Sequence, residues 1–541
     1  MNSLLFFVIC GGVLWAGYRI YGTLFERFLG IDPLRPTPAQ TKFDGVDYVP
    51  AKHWLILFGH HFSSIAGAGP IIGPVIAVSM WGWGPATLFV ILGTILIGGI
   101  HDFGSLALSV RYHGNSIADI SEEMVSKRAR LIFSYFVLFA LIVVVAVFTY
   151  FCAQTFIIEP KTVVPSLGLI PVAVLVGIMI YRWKVGLPAA TVAGLAGLVA
   201  LLFLGQAFPV AVPKGYEMLV WTIVLLGYCF VASVLPVNLL LQPRDYLSSY
   251  LLFFGVAAGF VGIITSRPDF TAPCFIKFDT AEGPLWPMLF VTVACGAVSG
   301  FHSLVSAGTT SKQIATEADA KRVGYGAMVV EALVAVMAIV TVAGGFHGFG
   351  DMTASLAKGG PVNTFGTGFG FITRHVLGGY GSFIAIILLN AFILTTLDTT
   401  TRIARYILQE LFGDLDRYLA TALIVLAGGF IAITGEWKKI WPIFGAANQL
   451  IAALTLVVLS SWLLSRGKHI KFTFIPAVFM LATSVGALGW QLGAFIANGD
   501  WFLVSIDIIL VILAVAMILE VYEWARVKRK GVGAPLCQRA S

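Results

Sequence analysis

About fifteen long apolar segments dominate this chain, and they restrict the folds that it can adopt. The segments cover approximately 4–24, 58–80, 84–110, 131–153, 167–182, 187–207, 217–236, 248–265, 286–308, 324–345, 379–402, 418–434, 440–464, 474–495 and 501–525. A run of roughly 20 apolar residues is long enough to cross a lipid bilayer as a helix. Charged residues make up only 11% of the chain, against about 25% in soluble proteins. The sequence therefore predicts an all-α polytopic membrane protein with about fifteen transmembrane helices.

Several functional classes are disfavoured by the sequence. The net charge of +7 comes from basic residues spread over short loops and the C-terminal tail, so we expect membrane lipid around the protein and no nucleic-acid partner. The six cysteines form no CxxC pair, which argues against a disulfide framework or a zinc cluster. Motifs of membrane metalloproteases, ATP-driven pumps and serine hydrolases are missing from the sequence. We expect neither an enzyme nor a resident cofactor or metal.

Lysine and arginine residues are distributed unevenly between alternate loops. If the N-terminus lies outside and the spans alternate, 26 of the 34 basic residues fall in inner loops and the C-terminal tail, and 8 in outer loops. Cytoplasmic loops of membrane proteins carry such an excess. The sequence predicts an outside N-terminus and a cytoplasmic C-terminus.

One stretch, 58–81, is long enough to span the membrane but differs from a lipid-facing helix. Two histidines lie near its start, and glycines with a proline interrupt its middle. Irregular backbone at membrane depth is tolerated only where it lines protein or a cavity, and the N–H groups that begin the second half-helix can hold an anion. The sequence predicts a broken helix that binds substrate. The predicted binding residues in this stretch are Ser63, Ser64, Gly67, Ala68, Gly69 and Pro70.

A second stretch, 295–313, resembles the first. Its HSLVSAG from His302 is similar to HFSSIAG from His61, in the opposite predicted orientation. The pattern predicts an inverted repeat, with His302 and Ser303 facing the substrate; chance similarity between small-residue segments is the alternative. The predicted organisation is an accessory span and inner loop at 1–57, repeats at 58–208 and 286–465, accessory segments at 209–285 and 466–525, and a basic tail at 526–541.

Ionisable residues inside apolar spans are costly and need a reason. Histidine exchanges protons near neutral pH, although buried imidazoles can also be structural or bind metal. We expect Glu331 to be a structural hydrogen-bonding group between helices. Asp398 has two interpretations, a coupling role and an ion pair with Arg402. The predicted proton-coupling residues are His60, His61, His101, Asp102 and Asp398, and the predicted gating residues are Thr395 and Thr396.

Two alternatives stay open at this point. The first is a metal-dependent membrane enzyme or sensor, with the ligands His60, His61, His101, Asp102 and His302. The second is sodium coupling through Thr395, Thr396 and backbone carbonyls near Ala66. Polar residues at 448 and 449 are interpreted as helix-packing contacts. The glycine-rich segment 346–378 is either a mobile cap, with a re-entrant piece at 365–372, or a structureless connector.

Four stretches together resemble the carbon starvation protein A family of bacterial inner-membrane transporters. They are GHHFSSIAGAGPIIGP (59–74), the segment 283–313, TTLDTTTR (395–402) and WPIFGAANQLIAAL (441–454). The family is similar to transporters of the amino acid–polyamine–organocation type, which share a five-plus-five inverted-repeat core. The resemblance implies a multi-pass inner-membrane transporter that imports a small carboxylate by proton symport with alternating access. Pyruvate is the preferred candidate substrate. Peptide uptake is the alternative within the same family.

Overall fold

The computed structural model describes residues 2–413, 415–433 and 437–529, and these residues are almost entirely helical. In the first half the α-helices are α1 (Ser3–Gly17), α2 (Thr23–Leu29), α3 (Pro38–Thr41), α4 (Trp54–Ile65), α5 (Gly69–Met80), α6 (Trp83–Gly93), α7 (Gly99–Arg111), α8 (Ile117–Met124), α9 (Lys127–Ile158), α10 (Val163–Tyr181), α11 (Leu187–Ala207), α12 (Glu217–Val234) and α13 (Leu241–Ser266). In the second half they are α14 (Phe290–Thr292), α15 (Ala294–Ala297), α16 (Gly300–Gly308), α17 (Gly326–Gly344), α18 (Phe349–Leu377), α19 (Gly381–Phe412), α20 (Arg417–Ile433), α21 (Trp437–Ser465), α22 (Lys471–Asn498) and α23 (Trp501–Arg529). A two-residue antiparallel pair, β1 (Asp279–Thr280) and β2 (Gly283–Pro284), precedes α14.

The structure confirms the predicted all-α polytopic membrane class. By length and composition, twelve helices within the described ranges can cross a membrane, or thirteen if the bent pair α4 and α5 forms one span. Helix α21 lies at the centre, because the whole of its apolar 18-residue window is buried, whereas only 22% of the window in α11 is buried. Apolar side chains of α11 are exposed on the outside of the fold, as is typical of a helix that contacts lipid. The figure of about fifteen spans stays a prediction.

The two predicted breaks pack against each other at the centre of the fold. Helices α4 and α5 are bent by 41° around 66–68, and the second break separates α15 from α16. A Cβ atom added at Gly69 would lie 1.9 Å from the Cβ of Cys295, and one added at Gly296 would lie 3.2 Å from the Cα of Pro70. The backbones of the two broken helices can approach this closely only because these positions are glycines.

Helix α13 lies beside the first broken helix, although the sequence assigned its segment to an accessory region. A Cβ atom at Gly59 of α4 would lie 2.9 Å from the Oγ of Ser249 and 3.1 Å from the Cα of Tyr246. The helix begins at Leu241, seven residues before the predicted apolar segment, because charged residues in its first turns are buried with partners. The domain boundaries themselves stay a prediction.

The glycine-rich segment 346–378 is helical, so the expectation of a structureless connector is wrong. Its helix, α18, is kinked at Gly360, whose φ of +70° is unfavourable for other residues. Packing explains the helix: a Cβ at Gly368 would lie 2.6 Å from the carbonyl oxygen of Thr341 in α17. The predicted re-entrant piece 365–372 lies inside this helix.

The loop between α3 and α4 is fastened to the end of α19 by Asp47. Its carboxylate accepts hydrogen bonds from Arg402 Nη1 (2.7 Å), Arg405 Nη2 (3.2 Å) and the Tyr406 hydroxyl (2.7 Å). Burial raises the pKa of Asp47, but the two guanidinium groups and the tyrosine outweigh it and lower this pKa to about 2. The carboxylate therefore stays ionised and holds the loop at neutral pH.

Asp47→Asn should destabilise the folded protein by about 3 kcal/mol, because two buried guanidinium groups lose their counter-charge. A lowered folded-state pKa contributes stability that is present above the ordinary carboxyl pKa and is lost as the pH falls through the folded value, about 2. We therefore expect the difference in thermal midpoint between variant and wild type to be constant at neutral and mildly acidic pH and to shrink only in strong acid. Exposed Asp351, changed to Asn, is the control; a difference that already shrinks near pH 6 would contradict this account.

Candidate functional site

The predicted pair of His61 and Asp102 is assembled in the structure. Nε2 of His61 lies 3.1 Å from Oδ2 of Asp102, and its Nδ1 lies 2.8 Å from the hydroxyl of Thr310. The hydroxyl of Ser306 donates to the other oxygen of Asp102. The imidazole and the carboxylate are fully buried. This pair therefore links α4 of the first broken helix to α7. It also links both helices to Ser306 in α16 and to Thr310 just after α16.

His60 pairs with a carboxylate that the sequence analysis missed. Its Nδ1 lies 2.7 Å from Oδ2 of Asp245 in α13. Its Nε2 lies 3.1 Å from the amide nitrogen of Gln313 and 3.4 Å from the hydroxyl of Thr309. The adjacent histidines thus serve two separate carboxylates on opposite sides of α4.

Arg244 joins this cluster to Asp398. Its Nη2 lies 2.9 Å from Oδ1 of Asp245, and its Nη1 forms an ion pair with Oδ2 of Asp398. The hydroxyl of Tyr228 donates to the same Asp398 oxygen at 2.6 Å. The predicted ion pair between Asp398 and Arg402 is wrong, because the Arg402 guanidinium instead contacts Asp47 and donates to the backbone carbonyls of Ala232 and Leu235 at the C-terminal end of α12.

Four predicted hydroxyl residues fasten the broken end of α4. The hydroxyls of Thr395 and Thr396 donate to the carbonyl oxygens of Ser63 (2.5 Å) and Ser64 (2.8 Å). In turn Ser63 donates to the carbonyl of Asp245 at 2.9 Å, and Ser64 donates to that of His60 at 2.7 Å. The threonines of α19 therefore hold the backbone where α4 ends.

The break itself lies where the sequence predicts it. Helix α5 begins at Gly69, with Pro70 in its first turn, and Gly67 and Ala68 form the buried connection. A Cβ at Gly67 would lie 2.9 Å from the hydroxyl of Thr396. The first N–H groups of any helix lack intrahelical acceptors and attract anions.

His302 and Ser303 contact helices on the other side of α16. Nδ1 of His302 lies 2.8 Å from the sulfur of Met328 and 3.3 Å from Oε2 of Glu331, both in α17. Ser303 donates to the carbonyl of Gly300 at 2.6 Å and lies 3.0 Å from the hydroxyl of Thr455 in α21. These side chains connect the second broken helix to its neighbours.

Several buried polar side chains in the described residues lack hydrogen-bond partners. Among them are His101, at both ring nitrogens, and Glu331, at both carboxylate oxygens. The expected hydrogen bond of Glu331 is therefore absent. Its carboxylate instead lies at ion-pair distance from the imidazole of His302, which connects α17 to α16. By contrast, Asn448 accepts from the N–H of Phe301 at 2.8 Å, which agrees with the helix-packing interpretation.

The histidines do not converge on a common ligand position. Within residues 2–413, 415–433 and 437–529, no group of three or more His, Cys, Asp or Glu side chains is arranged to hold a metal ion. His60 and His61 instead contact different carboxylates. Each of these two histidines is thus arranged as the partner of a separate buried carboxylate.

A cavity of about 290 Å³ lies beneath α18. Residues of α5, α14, α18 and the start of α21 line it. The mobile cap stays a prediction. Its lining includes Ser79, Glu282, Thr292, Thr353, Pro361 and Trp441. This cavity and the Asp47 loop lie at opposite ends of the broken helices.

Comparison with known proteins defines the class first. The fold is similar to that of a manganese transporter from Eremococcus coleocola, with a TM-score of 0.54 and 11% identity over 89% of this chain and 99% of that one. This likeness shows the fold of the chain, that of a multi-pass membrane protein.

The family follows from the sequence matches. The family model for carbon starvation protein CstA matches residues 2–348 and 346–487. The peptide transporter CstA of Escherichia coli K12 is 33% identical over 91% of this chain and 81% of its own length. The pyruvate/proton symporter BtsT of the same organism is 32% identical over 91% and 82%. This chain belongs to the CstA family, whose members are transporters and not enzymes.

Proposed function

We propose that this protein imports a small carboxylate by proton symport with alternating access in the bacterial inner membrane. Pyruvate is the preferred candidate substrate. The observation that carries the proposal is the buried contact of His61 with Asp102. His61 also contacts Thr310, and Asp102 accepts a hydrogen bond from Ser306, both in the second broken segment. A buried imidazole–carboxylate pair can hold one proton. Because the pair joins α4 to α7 and is hydrogen-bonded to the second broken segment, a movement of one broken helix against the other would change its proton affinity. The relative named a pyruvate/proton symporter supports the same function.

The substrate carboxylate would bind at the N-terminus of α5, where a helix end favours an anion. The proposed substrate-binding residues are Ser63, Ser64, Gly67, Ala68, Gly69, Pro70, His302 and Ser303. Both serine hydroxyls are engaged with backbone carbonyls, so they hold the shape of the break in this conformation. The proposed proton-coupling residues are His60, His61, His101, Asp102 and Asp398, and Thr395 and Thr396 act as the gate.

The remaining architecture fits this cycle. The segments 58–208 and 286–465 would form the two repeats of the core. The cavity beneath α18 would be the outer approach, and the loop held by Asp47 would close the inner end, with the N-terminus outside and the C-terminus in the cytoplasm. One proton per carboxylate would make transport electroneutral.

Protons are favoured over sodium by the contacts of two threonines. The hydroxyls of Thr395 and Thr396 donate to backbone carbonyls, which leaves those carbonyls less available to a metal cation. The nearby carboxylate of Asp398 is already paired with the guanidinium of Arg244. These contacts leave the carbonyls of Ser63 and Ser64 and the carboxylate of Asp398 less suited to bind a sodium ion.

Peptide uptake is the second candidate function. Peptide transporters of the same family cover most of this chain, and the 290 Å³ cavity is large for pyruvate alone. Its lining contains the carboxylate of Glu282, which suits an amino group better than a second carboxylate.

Labelled pyruvate in proteoliposomes tests the proposal. We expect an inward proton gradient to drive accumulation in sodium-free buffer, and an excess of di- and tripeptides not to reduce it. Competition by peptides would move the substrate to peptides. A requirement for sodium, or no gradient-driven uptake of either substrate, would overturn proton symport.

A further inference from the structure

Arg244 is a fully buried cation shared by two carboxylates. Its side chain is 1% exposed, and those of Asp245 and Asp398 are not exposed at all. Counting His60 as neutral, the three groups have a net charge of minus one. Buried charge without a counter-charge is costly, so this cluster is suited to exchange one of its negative groups for a proton.

The two carboxylates are held unequally. Asp245 contacts His60 at 2.7 Å, Arg244 at 2.9 Å and the Ser64 hydroxyl at 3.4 Å. For Asp398, the partners of Oδ2 are Arg244 and Tyr228, Oδ1 contacts the hydroxyl of Thr399 at 3.5 Å, and the carboxylate also interacts with the backbone of Thr399. Asp398 is therefore the carboxylate that can leave Arg244 at the lower cost.

Space for another group adjoins Arg244. A cavity of about 20 Å³ lies beside its side chain, which is room for about one water molecule. Apolar side chains of α10, α13 and α19 form most of the wall, and the buried hydroxyl of Ser166 in this wall has no partner among the described residues. The cavity is too small for pyruvate while Asp398 occupies the guanidinium, so binding requires that the ion pair open.

We propose that Arg244 is a second site on the transport path, where its guanidinium receives the substrate's carboxylate from the N-terminus of α5 in exchange for the carboxylate of Asp398, when Asp398 takes up the transported proton from the pair of His61 and Asp102. The inference rests on the proposed function and deepens it. A guanidinium binds a substrate carboxylate with the same fork geometry as an aspartate. With Asp398 protonated and the substrate bound, the cluster keeps its net charge of minus one. Substrate and proton therefore enter the cluster together, because the binding of each one favours the binding of the other.

In the part of the chain that the structure describes, a second cation near Asp398 is Arg402, and its guanidinium is engaged by another carboxylate. The hydrogen-bonding geometry of Arg402, one helical turn away, directs its guanidinium to Asp47. The charged and titratable groups that face Asp398 from its own and neighbouring helices are Arg244 and Asp245 of α13, Tyr228 and Cys229 of α12, and Arg402 of α19, with His60 of α4 and Cys152 of α9 behind them.

The test uses a pair of variants that keep the charge balanced. Asp398→Asn mimics the protonated carboxyl, and the double variant R244Q/D398N removes one charge of each sign, which avoids leaving two buried carboxylates without a cation. The control is R322Q/D319N, an arginine–aspartate pair in which the arginine is 59% exposed. Each protein is purified, checked for its thermal midpoint, and assayed for pyruvate binding at acidic and alkaline pH and for exchange of labelled against unlabelled pyruvate in vesicles.

We expect D398N to bind pyruvate equally at both pH values and to exchange it, but not to accumulate it against a gradient. The double variant should bind pyruvate roughly 10- to 100-fold more weakly, as expected when a charged hydrogen-bond donor is lost. The control should behave as the wild type.

Wild-type affinity in a folded double variant, or pH-dependent binding that persists in D398N, would overturn the inference. These failures differ from failure of the proposed function, in which the wild type itself would not couple pyruvate to protons.

Discussion

Replacing His61 by alanine should abolish proton-driven pyruvate accumulation while the protein still reaches the membrane. The imidazole lies 3.1 Å from Asp102 and 2.8 Å from Thr310. Without it, Asp102 keeps the hydroxyl of Ser306 but loses the titratable imidazole that contacts it. A site that cannot bind and release a proton cannot use the proton gradient.

A conservative variant separates proton binding from packing. His61→Gln keeps a side chain that can hydrogen-bond to Asp102, but an amide does not titrate. We expect both His61 variants to fall to the level of protein-free vesicles, and His61→Gln to retain a thermal midpoint near that of the wild type. His375, which is exposed on α18, is the control when changed to alanine. Gradient-driven accumulation by His61→Gln at the wild-type level would remove this histidine from the mechanism.

Gly69→Ala should disrupt the contact between the two broken helices. In a helix, alanine is ordinarily better than glycine by about 0.5–1 kcal/mol. Here the new Cβ would lie 1.9 Å from the Cβ and 2.5 Å from the sulfur of Cys295. Overpacking of this kind costs about 1–3 kcal/mol or more, because backbone on both sides must move. We expect a lower thermal midpoint and loss of uptake.

Two further variants make this prediction specific. At Gly227, in α12, an added Cβ meets no atom within 4 Å, so Gly227→Ala should be neutral or slightly stabilising. Removing the opposing side chain in G69A/C295G should restore much of the midpoint. If Gly69→Ala is as stable as Gly227→Ala, the close approach of the two breaks is wrong.

The sequence was sufficient for the membrane class, the position of the first break and the pairing of His61 with Asp102. Hydropathy determines the first, because every apolar segment reports the lipid environment by itself. Glycine and proline at 67–70 determine the second through backbone preferences that are local. The histidine and aspartate were recognisable because ionisable groups inside a span are rare.

Asp245 could not be found by the same reasoning. It lies with Arg244 just before an apolar run, where hydropathy indicates a loop. Contacts with His60 of α4 and Asp398 of α19 offset the cost of burying these two charges. Tertiary packing brings those partners together. The signal that was present is the PRDY sequence at 243–246, an arginine and an aspartate directly adjoining a span.

Asp398 and α18 show how distant contacts override local preference. Four-residue spacing favours an ion pair with Arg402, but Asp47 lies 355 positions earlier in the chain and takes that arginine. The many glycines of α18 lower its helix propensity, yet they also allow the backbone to approach α17 closely, as at Gly368. Neither partner can be inferred from the local sequence.

The measurement that tests proton symport most directly follows the pH inside vesicles loaded with a fluorescent pH indicator. Pyruvate is added outside, with no gradient imposed and no sodium present. We predict acidification of the interior that exceeds that of protein-free vesicles, runs in parallel with uptake of labelled pyruvate, and is absent with His61→Gln. Pyruvate uptake by the protein without any movement of protons would contradict the account.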